Sequence, residues 1–415
     1  MILTKYKLGE ILDVTRGASL SGEYYATEGE YIRLTCGNFD YQNNCFKENK
    51  SKDNLYYVGD FKSEFLMEEG DIITPLTEQA IGLLGSTAII PESGKYIQSQ
   101  DVAKIICKED LLDKDFAFYL ISSALVKQQL SAAAQQTKIR HTSPDKIKDC
   151  TVWIPELSEQ KRIGKLLRSI DRKIELNRAI NQNLEAMAKQ LYDYWFVQFD
   201  FPNEEGKPYK SSGGEMVWNE KLKRKIPNEW DNCKLKDFIN LFDSKRIPLS
   251  SKDREERKGN YPYYGATGIM DYVNEYIFDG DYILLAEDGS TSDSKGFPIV
   301  QYIWGKTWVN NHAHIILPKN EQYLMFTYQM LRSIPAKQIE TGSIQKKISQ
   351  ENLCEYNMVL PNSILIEKYE SIISPLWEKR KLCIEEINAL IKQRDELLPL
   401  LMNGQASVNS DLSDG

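Results

Sequence analysis

A long amphipathic segment, residues 158–198, constrains the fold of this chain more than any other feature. Apolar residues recur through it at intervals of three and four, with two asparagines in the middle. A helix of about 40 residues would be roughly 60 Å long, whereas helices in globular domains average about 11–12 residues. The repeating positions are Ile163, Leu167, Ile170, Ile174, Asn177, Asn181, Leu184, Ala188, Leu191 and Trp195. Such a seam needs a second helix to cover it.

The same chain supplies that second helix, between Ile364 and Leu401. A shift of 206 residues, from 163 to 369, carries each seam position of the first segment onto one of the second. The second seam includes Leu376, Ile387, Leu390 and Leu397. Pro375 lies inside this helix, and a proline in a helix interior costs about 3 kcal/mol. We therefore expect a break or kink there, with Ser374 capping a new segment.

Polar residues within the two seams have two interpretations. Asn177 and Asn181 in the first, with Arg380 and Arg394 in the second, could line a groove that binds a partner. A buried polar seam residue more often fixes helix register at some cost in stability. We favour the register role.

The segments that flank the helices also repeat. Residues 70–74 correspond to 280–284, and residues 101–106 correspond to 311–316. Short strands dominate both copies. We predict an α+β fold: two tandem mixed α/β domains separated by two long helices that form an antiparallel coiled coil, a pseudo-twofold repeat. The predicted boundaries are 1–155 and 230–361 for the domains, 156–200 and 362–403 for the helices, 201–229 for a connector, and 404–415 for a disordered tail.

Composition narrows the class of protein. The net charge of −8 argues mildly against a nucleic-acid partner, although local patches decide binding. Seven cysteines stand singly, without a CxxC pair, which favours a reducing compartment. No apolar run approaches the roughly 20 residues that cross a bilayer. We expect a cytoplasmic protein without a membrane partner.

Motifs for catalysis or metal binding are weak. The sequence contains no GxGxxG or Walker loop and no Asn-Pro-Pro-aromatic motif. Asp149, Glu159 and Lys161 loosely fit a nuclease pattern, but an acid in the first turn of a helix also suits the helix dipole. His312 and His314 have the spacing of a metal pair on a strand, without a third ligand nearby in sequence. We predict no catalytic residues, no metal and no cofactor, and a structural or DNA-facing role for the histidines.

Polar loops at matching places in the two repeats carry the functional prediction. Arg, Lys, Gln and Asn side chains can pair with base edges in the major groove of DNA. The alternative is that these loops are solvated turns. The candidates in the first domain are Arg16, Ser19, Arg33, Asn38, Thr77, Gln79, Lys138, Arg140 and His141. Those in the second are Lys245, Arg246, Tyr264, Ser290, Thr291, Gln345, Lys346 and Lys347. Because the frame repeats while these residues change, we favour binding to double-stranded DNA.

Several motifs resemble the specificity subunit of Type I restriction–modification enzymes. They are Glu159-Gln160-Lys161-Arg162-Ile163, the run LYDYWFVQF at 191–199, Gly214 to Trp218, and Ile226 to Trp230. The second domain departs from the pattern, because 364–368 lacks the Gln-Lys-Arg-Ile run. The resemblance implies two target-recognition domains, each reading half of a bipartite asymmetric site, with the helices as spacer. It also implies two methyltransferase subunits, which supply S-adenosylmethionine chemistry, and restriction/translocase subunits.

Two other classes of protein stay open at this point. One is a fused methyltransferase or nuclease, which the missing motifs oppose. The other is an adaptor whose twin domains bind protein, which the acidic pI of about 5.3 would suit.

Overall fold

The computed structural model describes residues 2–78, 80, 82–133, 140–342 and 346–408. The chain forms two compact units, one of Met1–Asn177 with Glu385–Gly415, the other of Arg178–Ile384. Each unit contains one predicted domain and part of both long helices. Over the described ranges, no helix combines the length and apolar character needed to cross a lipid bilayer.

Unit 1 is built on two four-stranded sheets. The first is antiparallel, in the order Ala88–Ile89, Ile72–Pro75, Val102–Cys107, Leu12–Arg16. The second has the order Tyr96–Ile97, Tyr31–Arg33, Tyr56–Tyr57, Tyr25–Ala26, and its first pair is parallel. Two-stranded pairs join Thr4–Lys7 to Thr151–Ile154, Thr77–Glu78 to Arg140–His141, and Phe39–Asp40 to Cys45–Phe46. The helices are Leu8–Ile11, Lys114–Ile121, Ala124–Ala133 and Pro144–Lys148.

Unit 2 repeats this arrangement. Its antiparallel sheet has the order Val300–Ile303, Tyr282–Ala286, Ala313–Pro318, Ile239–Leu241. Its second sheet has the order Ile269–Val273, Lys258–Tyr264, Lys306–Val309, Phe278–Asp279, with the middle pair parallel. Further pairs join Met216–Asn219 to Arg224–Pro227, Asp231–Lys234 to Asn357–Leu360, and Glu340–Thr341 to Lys347–Ile348. The helices are Leu235–Phe238, Ser251–Glu256, Leu324–Ser333 and Gln350–Glu355.

The two long helices are Leu157–Tyr192, which continues as a π-helical turn over Asp193–Val197, and Ser363–Met402. Inside unit 1, Arg394 donates to Asp171 at 2.9 Å and Asn177 donates to Glu386 at 2.8 Å. As residue numbers rise along the first helix, the numbers of the residues that they contact fall along the second, so the two helices are antiparallel. Inside unit 2, Arg380 donates to Glu185 at 3.3 Å and Tyr369 to the Ala188 carbonyl at 3.1 Å. The antiparallel pairing and the mixed α/β fold class are confirmed.

Polar seam residues take part in these pairings, as the register interpretation expects. The 206-residue shift aligns Asp171 with Trp377 and Arg394 with Ala188. Unit 1 therefore has a buried ion pair where unit 2 packs Trp377 near Ala188 in its apolar core. One helical turn further on, the apolar layer is in unit 1 and the charged layer is in unit 2. The same shift aligns Ile174 with Arg380 and Glu185 with Ile391. Ile174 and Ile391 share an apolar cluster in unit 1, whereas Glu185 pairs with Arg380 in unit 2. The charged layer is displaced by one helical turn between the repeats.

The buried face of the helices is wider than the predicted seam. Buried seam positions are Ile163, Leu167, Ile170, Ile174, Asn177, Leu184, Trp195 and Ile387, while Asn181, Leu191, Leu376, Leu390 and Leu397 are half-buried. The sequence pattern missed Trp377, which is 1% exposed. A helix packed against a globular domain buries a broader stripe than a two-stranded coiled coil does.

Of the break or kink predicted at Pro375, the break is wrong, and the kink stays a prediction. The helix runs without interruption from Ser363 to Met402. Ser374 does not cap a new segment, since its hydroxyl donates to Glu370 at 3.1 Å. Proline frees the carbonyl four residues earlier, and Ser371 is exposed, so water can satisfy it.

Two boundary predictions also need correction. The connector is part of unit 2, because Phe201 and Ile226 lie in that unit's apolar core. The first residues of the predicted disordered tail are ordered. Val408 packs on the core of unit 1, and its N–H donates to Glu159 at 3.1 Å. Residues 409–415 lie outside the described part of the chain.

A second difference between the repeats concerns one helix N-terminus. In unit 1, Asp113 caps the helix Lys114–Ile121 by accepting from the Phe116 N–H at 2.9 Å. A Cβ on Gly164 would lie 2.8 Å from that carboxylate oxygen. In unit 2, the residue aligned with Gly164 is Glu370, which accepts from the Phe326 N–H at 2.7 Å. The long helix itself thus supplies the cap, from Glu370, a residue that is 7% exposed.

We predict that Glu370 makes the stability of the chain depend on pH. Burial raises the pKa of Glu370 to about 7, against the lowering effect of the Phe326 N–H and Ser374. Because this pKa is higher in the folded state, the protonated carboxyl stabilises the fold fully at a pH below the ordinary carboxyl pKa. That stabilisation is lost as the pH rises through about 7. The loss corresponds to up to about 3 kcal/mol.

Glu370→Gln keeps an acceptor for the Phe326 N–H and cannot ionise. Calorimetry of the full chain from about pH 5 to about pH 8 should show a flatter stability profile for this variant, and higher stability at the alkaline end. The exposed neighbour Glu367 provides the matched control, Glu367→Gln. Equal pH profiles for wild type and Glu370→Gln would contradict the assignment.

The ion pair of unit 1 gives a second prediction. Asp171 and Arg394 are both 8% exposed, and Tyr119 also donates to Asp171 at 2.5 Å. Replacing either partner alone by Leu leaves a buried charge, which costs about 3–5 kcal/mol. Replacing both should cost much less than the sum, because an apolar layer like that of unit 2 results. Chemical unfolding of the full chain measures the free energy of unfolding of the two single variants and the double variant. If the loss in the double variant equalled the sum of the two single losses, the prediction would be contradicted.

Candidate nucleic-acid interface

The basic segment of unit 1 pairs with the loop that follows a central strand. Arg140 lies opposite Glu78 and His141 opposite Thr77. The Arg140 guanidinium is 3.5 Å from the Glu78 carboxylate, which also accepts from the Gly82 N–H at 3.0 Å. The His141 ring lies 3.3 Å from the Thr77 hydroxyl. Arg140 and His141 are exposed, and Thr77 and Glu78 are buried beneath them.

Arg16 belongs to the same edge of the sheet. It ends the strand Leu12–Arg16, is exposed, and donates to the Gln100 carbonyl at 2.8 Å. The next residue, Asp101, lies 3.5 Å from the Thr77 hydroxyl. The structure therefore brings Arg16, Arg140 and His141 to one edge of unit 1, although they are far apart in sequence.

Unit 2 forms the same edge with other residues. Lys347 forms a β-bridge with Asp288 and an ion pair with Glu287 at 3.2 Å. Arg246 donates to Glu287 at 2.7 Å and to the Ala313 carbonyl at 2.8 Å. Lys346 lies 3.1 Å from Glu340. Cations on loops are thus held by acids at the ends of strands in both units.

Two acids of unit 2, Glu287 and Glu340, hold these cations as carboxylates. Burial would raise the pKa of Glu287, but Arg246, His314 and Lys347 outweigh it and hold that pKa below its ordinary value. Burial likewise opposes ionisation of Glu340, whose pKa is held low by hydrogen bonds from Thr291, Ser292 and Lys346. The Lys346 and Lys347 side chains stay 54% and 52% exposed, which suits hydrogen bonding to bases or phosphates, whereas the Arg246 side chain is only 13% exposed.

Hairpin 264–270 adjoins this edge. The Asn310 N–H donates to the Tyr264 carbonyl at 3.0 Å, and burial raises the pKa of the Tyr264 phenol to about 12. The Asn310 side chain accepts from the His312 N–H at 2.8 Å. His312 in turn lies 2.6 Å from Asp288. Tyr264 is half-buried, so only part of its side chain is available to a ligand.

Some predicted contact residues serve the fold instead. Arg33 is 7% exposed; its guanidinium lies 3.8 Å from the ring centre of Tyr25 and donates to the Asn54 carbonyl at 3.3 Å. Asn38 is 2% exposed and holds its turn by accepting from the Thr35 N–H at 2.9 Å. Polar residues on loops can close turns as well as face solvent. We therefore withdraw Arg33 and Asn38 as base contacts.

Thr77 and Thr291 also lie inside their units. Thr77 is 8% exposed and orients His141, and Thr291 is 1% exposed and donates to Glu340 at 2.7 Å. Thr77 thus contacts the exposed His141, and Thr291 contacts Glu340, whose side chain is 7% exposed. Neither threonine is exposed to solvent, contrary to the prediction. Ser19, Lys245 and Ser290 are exposed and stay predictions, together with Arg16, Arg140, His141, Arg246, Tyr264, Lys346 and Lys347. Gln79, Lys138 and Gln345 lie outside the described residues.

The loose nuclease pattern does not form a site. Asp149 is exposed and pairs with Lys7 at 3.0 Å. Glu159 is 5% exposed and pairs with Arg162 in the first turn of the long helix. The structure thus gives the two carboxylates separate partners.

The two histidines point to different partners. His312 pairs with Asp288 near the surface, whereas His314 is fully buried and lies 2.6 Å from Asp243. Asp243, Glu287 and His314 offer three potential metal ligands within 4.8 Å of one another. Arg246 lies among them, 2.7 Å from Glu287 and 3.5 Å from Asp243. The positive charge that the carboxylates need is therefore supplied by the chain itself.

Sequence reasoning missed the acids that hold these cations, Glu287, Asp288 and Glu340. The repeat in the sequence could have identified two of these acids. Glu287 and Asp288 follow the strand Tyr282–Ala286, as Thr77 and Glu78 follow Ile72–Pro75. Glu340 lies near Lys346 only through the pairing of Glu340–Thr341 with Lys347–Ile348, which the sequence pattern does not reveal.

Comparison with known proteins identifies the family of the chain. Residues 3–186 and 227–386 match the family described as "Type I restriction modification DNA specificity domain". The Type I restriction enzyme MjaIX specificity subunit of Methanocaldococcus jannaschii is 23% identical over 328 residues, which cover 75% of this chain and 73% of that protein. The putative type I restriction enzyme specificity subunit S.HindORF215P of Haemophilus influenzae is 34% identical over 142 residues, 34% of this chain and 35% of that one.

A solved structure resembles the whole fold. The crystal structure of the S subunit of a Type-I restriction-modification system from M. genitalium has a TM-score of 0.62 at 18% identity, covering 97% of this chain and 96% of that one. The family match covers both repeats and most of the chain. The protein therefore belongs to the family of Type I restriction–modification specificity subunits, whose domains recognise DNA sequence.

Proposed function

We propose that this chain is the non-catalytic DNA-recognition subunit of a Type I restriction–modification complex and reads a bipartite, asymmetric site. Each unit reads one half through its basic segment, Arg140–His141 in unit 1 and Lys346–Lys347 in unit 2. The supporting observation is the duplicated geometry: a cation-bearing segment held on an acidic strand end, with different side chains in each copy. Two such surfaces with unlike residues suit two unlike half-sites.

The partners follow from the proposed role. Two methyltransferase subunits would bind the repeated chain and supply S-adenosylmethionine chemistry, and restriction/translocase subunits would join for cleavage. The paired helices would set the gap between half-sites, because their length is fixed by about 1.5 Å per residue. The chain itself would contribute binding and positioning only.

We predict that the two basic segments act on separate half-sites. Arg140→Ala should cost about 1–3 kcal/mol if the guanidinium contacts a base, and relax discrimination only in the half read by unit 1. Lys347→Ala should relax only the other half. A contact to phosphate would instead weaken all sequences alike and lower the salt slope by about one. Binding selection on randomised half-sites, with the methyltransferase partner present at fixed salt, measures this.

The chain offers matched controls. The Arg257 side chain is 46% exposed and pairs with Glu275 at 3.3 Å, whereas Arg140 is 45% exposed and pairs with Glu78 at 3.5 Å. Lys223 pairs with Glu220 at 3.0 Å much as Lys347 pairs with Glu287 at 3.2 Å. Arg257→Ala and Lys223→Ala should leave both half-sites unchanged. If one substitution relaxed discrimination at both half-sites, or if neither substitution relaxed it at either half-site, these loops would be solvated turns.

A further inference from the structure

The hairpin 264–270 of unit 2, which adjoins the candidate interface, exposes apolar side chains. Met270 and Tyr272 point to the same face of the strand Ile269–Val273, because side chains alternate along a strand. They are 56% and 49% exposed, and Ile269 beside them is 46% exposed. Contiguous apolar surface of this kind is typical of a site that binds another molecule.

The loop of this hairpin is held in place by the neighbouring sheet. The side-chain amide of Gln301, on the strand Val300–Ile303, donates to the carbonyls of Gly265 and Ala266 at 3.0 and 2.9 Å. Within the loop, the Gly265 N–H donates to the Gly268 carbonyl at 2.8 Å. The loop is therefore ordered before a ligand binds, which lowers the entropy cost of binding.

The Met270 side chain is also held in one position. The side-chain N–H of Asn310, a residue that is 3% exposed, donates to the Met270 sulfur at 3.3 Å. A Cβ on Gly265 would lie 2.4 Å from the same sulfur atom, so the sulfur packs directly on the glycine. Methionine is a flexible side chain, and these two contacts orient it.

Asn310 joins Met270 to the candidate DNA contacts of unit 2. The Asn310 side chain accepts from the His312 N–H at 2.8 Å, and the His312 ring lies 2.6 Å from Asp288. Asp288 forms a β-bridge with Lys347. Continuity with the basic segment therefore indicates DNA as the molecule that covers Met270.

The chemistry of Met270 limits the base that it can read. Cations and amides recognise bases through hydrogen bonds, whereas an apolar side chain recognises thymine by contact with its C5-methyl group in the major groove. A thioether has no donor and is only a weak acceptor, and the sulfur of Met270 already accepts from Asn310. Thymine is therefore the base whose edge matches Met270.

Unit 1 has a different side chain at the corresponding place. Arg33 pairs in parallel with Ile97 as Tyr264 pairs with Val309, so the segment after Arg33 corresponds to the hairpin of unit 2. That segment leads to the pair Phe39–Asp40 and Cys45–Phe46, whose loop 41–44 reads Tyr-Gln-Asn-Asn. Gln42 is the exposed residue of this loop. An amide group thus stands where unit 2 has an exposed thioether.

We propose that Met270 is a specificity-determining residue that reads a thymine in the second half-site through the C5-methyl group of that base. The inference rests on the proposed function and adds one base type to it. Lys346 and Lys347 hold the DNA beside the hairpin, and the fixed loop presents the Met270 side chain to the major groove. The first half-site has no corresponding contact.

The test compares thymine with deoxyuridine, which pairs in the same way and lacks only the methyl group. The full chain with its methyltransferase partners is bound to the duplex that it selects from a random pool. Each thymine of the second half-site is then replaced in turn. We expect one replacement to weaken binding by about threefold to tenfold, as for loss of one buried methyl group. Met270→Ala should bind the two duplexes equally.

Gly265→Ala provides a second variant in which Met270 is retained. Its new Cβ would occupy the place of the sulfur, and the end of a flexible side chain can move away without unfolding the unit. This variant should also lose the difference between thymine and deoxyuridine. Met187, on the long helix, is 53% exposed and provides the matched control. Met187→Ala should keep the difference.

Three results would overturn the role of Met270. They are equal binding of every deoxyuridine duplex by wild type, a difference that persists in Met270→Ala, and a difference lost in Met187→Ala as well. An equal loss of affinity for both duplexes in Met270→Ala, with their ratio unchanged, would likewise show that Met270 does not read the methyl group. Failure of the wild-type complex to select any sequence would instead contradict the proposed function.

Discussion

The pairing of the two long helices within each unit is the contact on which the rest of the structure depends. The helix that carries Ile163 and Leu167 helps form the core of unit 1, and the helix that carries Tyr369 and Ile373 does so in unit 2. Each domain is thereby attached to a helix pair and not to a flexible linker. The position of each recognition surface in its unit follows from this attachment.

The displaced charged layer gives this pairing its specificity. Asp171–Arg394 in unit 1 and Glu185–Arg380 in unit 2 occupy layers one turn apart in the common frame. A wrong pairing that set Asp171 or Arg394 against an apolar layer would leave a buried charge without its partner, which costs several kcal/mol. Because the charged layers lie one turn apart in the two repeats, a helix segment of one pair does not match the partner segment of the other pair.

Much of the architecture could be predicted because it depends on periodicity. The seam spacing predicted both helices, and the constant shift predicted the repeat. Features that depend on tertiary contacts could not be predicted. Trp377 is buried because a domain packs beside the helix, and Pro375 is tolerated because Ser371 faces solvent.

The candidate interface shows the same limit. Residue type identified loops with donors, but Arg33 and Asn38 use their donors and acceptors to close turns. The chemistry of the exposed cations depends on Glu287 and Glu340, which approach them only after the strands pair. Two surfaces built in this way on one frame, with unlike side chains, are the basis for proposing that each unit reads one half-site.

The measurement that tests this account most directly is a map of methylated bases in the source genome. It should be made for the wild-type chain and for a variant with four residues inserted between Asn181 and Leu184, which adds about 6 Å of helix. The account predicts a bipartite, asymmetric motif whose two halves stay the same while the gap changes or methylation is lost. An uninterrupted motif in the wild type, or altered half-sites with an unchanged gap in the variant, would contradict it.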